Sequence, residues 1–79
     1  MKLPRDLSGS DLAKKLLTFG YSVTRQTGSH IRLTTTQNGL HHITIAAHDP
    51  LKVGTLSGIL KDIAAHHKIS KDDLALKLF

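Results

Sequence analysis

The sequence predicts an α+β domain of order α-β-β-β-α, in which a three-stranded antiparallel sheet has its helices packed on one face. Three observations support this class. Apolar residues recur at helical spacing in two stretches, and they alternate with polar residues in the segments between those stretches. In addition, Asn38-Gly39, a strong hairpin signal, joins two of the alternating segments. With 79 residues, the chain is expected to form a single domain, residues 1–79, around one modest core.

The first helix is predicted within residues 8–20, which read SGSDLAKKLLTFG. Ser10 is expected to be its N-cap, because a serine hydroxyl accepts a hydrogen bond from a free N–H of the first turn. Asp11 follows where the helix dipole favours an anion, and Gly20 stands where a C′ glycine ends a helix. The residues expected to form the buried face are Leu12, Ala13, Leu16, Leu17 and Phe19.

Three strands are predicted at residues 21–27, 30–36 and 41–47, with Gly28-Ser29 as the turn between the first two. Tyr21 and Val23 share one face of the first strand. The regular alternation in the other two strands describes a sheet with one buried face and one face in water. The residues expected to face inward there are Ile31, Leu33, Ile43 and Ile45.

A second helix is predicted after residue 54, with Thr55 as its N-cap. His66 and His67 fall at its C-terminus, where cations suit the helix dipole. Ser70 is expected to cap a short final helix. The apolar face of the second helix is predicted to contain Leu56, Ile59, Leu60, Ile63 and Ala64.

The charge balance favours an anionic partner. Eleven lysines and arginines face six acidic residues, for a formal charge of +5. Such a surface suits nucleic acid, although a solubility charge or an acidic protein partner would also account for it. The chain has no cysteine, which excludes disulfides and cysteine-ligated zinc. No signal peptide or membrane-span pattern is visible, so a cytoplasmic protein without membrane contact is expected.

Candidate functional residues gather on the predicted wet face of the sheet. Alternation puts His30, Arg32 and His42 there together. An imidazole ionises near neutral pH and can serve as a general acid or base, while a guanidinium can hold a phosphate through two parallel hydrogen bonds. The plain alternative is an exposed histidine and a solvated arginine with no task.

Other residues could extend a phosphate-binding surface. The backbone at Gly28 and Ser29 could approach a phosphate closely. Lys52 precedes a helix N-terminus, which favours anions. A basic N-terminal patch is predicted from Lys2, Arg5, Lys14 and Lys15, with a solvated face as the alternative. A zinc site of His30, His42 and His48 is conceivable, but the spacing fits no common ligand pattern, so no metal site is expected.

Four segments, taken in order, resemble the HicA-type toxins, a family of small bacterial mRNA interferases. They are Gly28-Ser29-His30, residues 43–48 (ITIAAH), residues 54–63 (GTLSGILKDI) and residues 69–79 (ISKDDLALKLF). Each is short, but their order and spacing match over nearly the whole chain. The resemblance implies a fold similar to a double-stranded-RNA-binding domain and ribonuclease activity against mRNA, with no cofactor. It also implies neutralisation by a HicB-type antitoxin.

Under this resemblance the family's functional histidine falls on His30, whereas a second histidine that often follows it is replaced by Ile31. His30 would take the proton of a ribose 2′-OH, and Arg32 or a lysine would stabilise the charge that develops on the phosphate. Because transphosphorylation also needs an acid, His42 is expected to be a helper. Free toxin is expected to be monomeric and to form a hetero-oligomer with its antitoxin.

Two other functions remain open from the sequence. One is a non-catalytic module that binds double-stranded RNA. Against it, Lys61 is the one lysine or arginine of the second helix before its far end, where such a module would carry a denser cluster. The other is a protein-interaction domain that uses its positive charge to dock an acidic partner.

Overall fold

The computed structural model describes residues 3–79 and confirms the predicted fold class. The three strands form an antiparallel sheet of order β1-β2-β3, and the helices cover one of its faces. Lys2, part of the predicted basic patch, lies outside the described residues. The elements are α1 (Gly9–Thr18), β1 (Ser22–Gln26), β2 (His30–Thr35), β3 (His41–Ala46), α2 (Val53–His67) and α3 (Lys71–Leu78).

Helix α1 begins two residues earlier than predicted, because Ser8 rather than Ser10 is its N-cap. The Ser8 hydroxyl accepts a hydrogen bond of 3.0 Å from the Asp11 N–H. Gly9 explains why the helix can begin here: its N–H donates to the His48 carbonyl at 2.8 Å, and a Cβ at this position would overlap the Ala46 carbonyl. The first turn of α1 therefore lies directly against the end of β3.

The predicted alternation is confirmed in β2 and β3. Ile31 pairs with Ile45 and Leu33 pairs with Ile43, and all four side chains are buried under the helices. The residues between them, including Arg32 and Thr44, are exposed on the opposite face. One sheet face thus belongs to the core, and the other is open to solvent.

Strand β1 departs from the prediction because it contains a β-bulge. The pairing with β2 runs from Val23 opposite Leu33 directly to Arg25 opposite Arg32, so that Thr24 is the extra residue. Tyr21, just before the strand, is buried with 2% of its surface exposed. Val23, predicted to share a strand face with Tyr21, is 42% exposed, since β1 is an edge strand that α1 covers incompletely.

Helix α1 likewise buries less of its apolar face than predicted. Leu17 remains 48% exposed, whereas Leu12 and Leu16 are fully buried. Gly20 follows the helix with a positive φ of 94°, which confirms its predicted C′ role. Leu17 and Val23 line the same groove between α1 and the β1 edge of the sheet.

Helix α2 begins at Val53, with Lys52 as an N-cap that makes no side-chain hydrogen bond, so the predicted cap at Thr55 was wrong. The helix starts early because Leu51 is fixed immediately before it. Leu51 is buried, and its N–H donates to the Leu7 carbonyl at 2.7 Å. In α3, the predicted cap is confirmed: the Ser70 hydroxyl accepts from the Asp73 N–H at 3.0 Å. No helix among residues 3–79 is long and apolar enough to cross a membrane.

The C-terminal end of α2 is fixed to the sheet by a chain of hydrogen bonds, which we call the Tyr21 network. The Tyr21 hydroxyl lies 2.8 Å from His41 Nδ1 and 3.1 Å from His67 Nε2. At the two ends of the chain, His41 Nε2 lies 3.4 Å from Asp62 Oδ1, and the Asn38 amide lies 3.0 Å from His67 Nδ1. Burial, and then the Asp62 charge, raise the pKa of Tyr21 to about 12.

The β2–β3 connection completes this attachment. Asn38 and Gly39 both have positive φ, as the predicted Asn-Gly turn requires, although the loop between the strands spans residues 36–40. His66 Nε2 donates to the carbonyls of Gln37 and Gly39, at 2.9 and 3.1 Å. The histidines at the end of α2 are therefore structural residues that hold the turn.

Candidate active site on the exposed sheet face

A shallow depression of about 270 Å³ lies on the exposed face of the sheet. All three strands contribute to it: Arg25 from β1, His30 and Arg32 from β2, and Thr44 from β3, with Thr27 added from the β1–β2 turn. It lies on the side of the sheet opposite the core, so its floor is the sheet itself. The depression brings two predicted residues together, namely His30 and Arg32.

His30 is held in place by the turn that precedes it. The Thr27 N–H donates to the His30 carbonyl at 2.9 Å, and the His30 N–H donates to the Thr27 hydroxyl at 3.2 Å. The Ser29 hydroxyl lies 2.9 Å from His30 Nδ1. Nε2 makes no hydrogen bond with the residues that the structure describes, so this nitrogen is available to a bound molecule.

Arg32 lies in the middle of the depression. The strand register sets it opposite Thr44 on β3 and opposite Arg25 on β1. Within residues 3–79, the ion pair joins His41 and Asp62 and involves neither Arg25 nor Arg32. Neither arginine is therefore neutralised by a carboxylate of the described chain. The depression is therefore positively charged.

Of the residues predicted to help His30, His42 lies on the same face but outside the depression. It pairs with Thr34, four residues along β2 from His30, a separation of roughly 13 Å along the strand. Its Nδ1 lies 2.7 Å from the Thr34 hydroxyl, which is 2.9 Å from the Thr24 hydroxyl. The structure thus does not bring His42 within reach of a group bound at His30.

The predicted lysines also lie away from the depression. Lys14 borders a groove between α1 and the β1 edge, on the helix side of the sheet. The Lys15 ammonium lies 5.7 Å from the centre of the Phe79 ring. Lys52 is exposed at the start of α2. Gly28 has no positive φ, and a Cβ on it would meet no atom within 4 Å, so the fold itself does not require glycine there.

Besides Thr44, whose outward position follows from the alternation in β3, sequence reasoning missed two residues of the depression, Arg25 and Thr27. Strict alternation from Val23 puts Arg25 on the inner face, and only the bulge at Thr24 moves it beside Arg32. No residue pattern in β1 predicts that bulge. Thr27 could have been found from its place directly before the Gly-Ser turn, where a hydroxyl commonly bonds a nearby backbone group.

The depression contains one imidazole, that of His30, which can serve as a general acid or base. Its lining combines an imidazole, two guanidinium groups and two hydroxyls. Among residues 3–79, no group of three or more histidine, aspartate or glutamate side chains is arranged to hold a metal ion. The arrangement can bind an anion and move one proton beside it.

Comparison with protein-family models found a match. The model described as the HicA toxin of bacterial toxin–antitoxin systems matches residues 9–64, which include the whole sheet, all of α1 and most of α2. Comparisons with curated proteins and with solved structures found no match. Because the matched region covers well over half of the 79 residues, the chain belongs to the HicA toxin family.

Proposed function

We propose that this toxin is a metal-independent endoribonuclease that cleaves mRNA and thereby inhibits translation and growth. The observation that carries the proposal is the depression, where an imidazole with a free Nε2 adjoins an unpaired guanidinium. Family membership supports the choice of RNA as substrate. An open sheet face also suits a single extended strand, because nothing in the described chain covers it.

In the proposed mechanism, His30 Nε2 accepts the proton of a ribose 2′-OH. The 2′ oxygen attacks the adjacent phosphorus, the bond from phosphorus to the 5′ oxygen breaks, and that oxygen takes a proton from the imidazolium or from solvent. The products are a 2′,3′-cyclic phosphate and a 5′-OH. Arg32 stabilises the negative charge that develops on the phosphate oxygens.

Ser29 acts in this scheme as a positioning residue. When His30 Nδ1–H donates to the Ser29 hydroxyl, Nε2 carries the lone pair that a general base needs. In that arrangement the hydroxyl holds the ring orientation and leaves Nε2 free to accept a proton. This role replaces the direct contact with RNA that the sequence suggested for Ser29.

The remaining predicted residues take peripheral roles in the proposal. His42 on the exposed face, Gly28 at the turn and Lys52 at the start of α2 contact flanking nucleotides, and Lys14 contacts RNA that passes around the β1 edge to the helix side. Lys15, already stacked on Phe79, contributes long-range charge. A HicB-type antitoxin neutralises the toxin by forming a hetero-oligomer with the free monomer, in the cytoplasm where mRNA is found.

The proposal is tested by inducing wild type and two histidine variants and following growth and mRNA integrity together. We expect wild type and His48→Ala to arrest growth and degrade mRNA, because His48 is an exposed histidine outside the depression. His30→Ala should do neither. If a folded His30→Ala protein remained as toxic and as destructive as wild type, the proposal would be wrong. RNA binding without any cleavage by wild type would instead favour the double-stranded-RNA-binding module.

A further inference from the structure

Arg25 has no place in the mechanism above, yet the bulge in β1 brings it directly opposite Arg32. Without the extra residue at Thr24, the side chain at position 25 would point to the helix side of the sheet. With it, two arginines from neighbouring strands share one depression. Such an arrangement needs an explanation, because like charges directly opposite each other destabilise a sheet.

No neighbour within the described chain relieves that repulsion. Neither guanidinium donates a hydrogen bond to another residue of the range 3–79, and neither forms an ion pair there. Each guanidinium has five N–H donors in a fixed fork. Directly opposite residues of an antiparallel pair have Cβ atoms about 5 Å apart, so both forks can close on one small anion.

We propose that Arg25 and Arg32 form a clamp for a single phosphate, and that this phosphate is the one cleaved beside His30. The identification as the scissile phosphodiester rests on the proposed function. His30 is two residues from Arg32 on the same face, about 7 Å along the strand. This separation lets the His30 imidazole reach the 2′-OH while the two guanidinium groups hold the adjacent phosphate.

The clamp also accounts for the missing second acid–base group. His42 lies too far along the strand, and His30 is the one histidine among the residues that line the depression. Attack by the 2′ oxygen gives a phosphorane with two negative charges, which two flanking guanidinium groups can stabilise directly. Charge stabilisation by the clamp thus reduces the need for a second acid, and the leaving 5′ oxygen takes its proton from the His30 imidazolium or from solvent.

The test separates binding from cleavage by using two ligands that cannot react. One is inorganic phosphate, and the other is a fully 2′-O-methylated oligoribonucleotide, which has no 2′-OH proton to lose. The proteins are wild type, Arg25→Gln, Arg25→Lys, and Lys77→Gln, which removes the same charge from an exposed site on α3. Phosphate binding is followed by NMR shifts of the His30 ring and the arginine side chains, and oligonucleotide affinity is measured at fixed ionic strength.

We expect Arg25→Gln to bind both ligands about tenfold more weakly than wild type, as for the loss of a charge-assisted hydrogen bond. The affinity of Arg25→Lys should lie between those of wild type and Arg25→Gln, because an ammonium keeps the charge but cannot form the two-pronged hydrogen bond. The affinity of Lys77→Gln should match that of wild type. In chloride buffer Arg25→Gln should melt at the same or a higher temperature than wild type, since repulsion with Arg32 is relieved.

Two results would overturn the clamp: wild type that gives no phosphate-dependent shift at His30, or Arg25→Gln that binds both ligands as tightly as wild type. Each outcome is independent of catalysis. A clamp that binds phosphate through Arg25 in a protein that never cleaves RNA would contradict the proposed ribonuclease while leaving the clamp intact. Normal RNA cleavage by wild type, together with unchanged ligand binding by Arg25→Gln, would contradict the clamp while leaving the proposed ribonuclease intact.

Discussion

Replacing Tyr21 with phenylalanine removes one hydroxyl and should interrupt the Tyr21 network at its centre. The network has a fixed direction. Because the Asp62 carboxylate can only accept, His41 Nε2 must carry the proton between them, and His41 Nδ1 must then accept from the Tyr21 hydroxyl. The tyrosine oxygen in turn accepts from His67 Nε2–H, and His67 Nδ1 accepts from the Asn38 amide. With this assignment each donor of the network meets an acceptor.

The expected cost follows from the two bonds that disappear. The Tyr21→Phe variant leaves His41 Nδ1 without a donor and His67 Nε2–H without an acceptor, next to a ring that is 2% exposed. At about 1 kcal/mol for each bond, the free energy of unfolding should fall by about 2 kcal/mol. For a domain of this size, that loss corresponds to a fall in Tm of roughly 8–16 °C.

The assay is urea denaturation of Tyr21→Phe beside Thr24→Val, which deletes a hydroxyl with a single side-chain partner on the exposed sheet face. We expect Thr24→Val to stay within about 0.5 kcal/mol of wild type, because surface substitutions seldom exceed that. Equal and small losses of stability for the two variants would show that the Tyr21 network contributes nothing beyond an exposed hydroxyl, contrary to this prediction. Folded wild type should also show its phenolate absorbance only near pH 12.

Three further predictions concern pH, packing and catalysis. Burial and the neighbouring imidazoles lower the pKa of His67 below 6.5, so the unfolded chain binds protons before the folded chain does as the pH falls. The free energy of unfolding should therefore fall as the pH drops below about 6.5. A denaturation midpoint that stays constant from pH 7 to pH 5 would contradict this. Gly9→Ala should cost about 2 kcal/mol in urea denaturation because its Cβ overlaps the Ala46 carbonyl, whereas Gly28→Ala, with open space around it, should cost far less. Ser29→Ala should lower kcat by roughly tenfold with little change in KM, and Ser29→Thr should restore it; an altered KM alone would indicate substrate binding instead.

The regular parts of the fold were predictable because the burial of one face determines them. Alternation in β2 and β3 put Ile31 and Leu33 in the core and Arg32 on the surface, since a one-residue slip would reverse every side chain. The same reasoning brought His30 and Arg32 together in one site. The cap at Ser70 was predictable from local hydrogen bonding alone.

The errors arise where tertiary contacts override local preference. Ser10 and Thr55 are good caps in isolation, but Gly9 must lie against Ala46, and Leu51 is fixed just ahead of α2, so both helices begin earlier. The bulge at Thr24 depends on pairing between strands, which leaves no mark in the order of residues in β1. For that reason Arg25 could be assigned to the site only from the structure.

The role of His30 in cleavage is tested most directly with purified wild type and with His30→Ala shown to be folded, by measuring RNA cleavage and identifying the ends of the products. We expect wild type to produce 2′,3′-cyclic phosphate and 5′-OH ends, and His30→Ala to cleave at least roughly a hundredfold more slowly. Cleavage by His30→Ala at the rate of wild type would contradict this expectation, as would products ending in 3′-OH and 5′-phosphate.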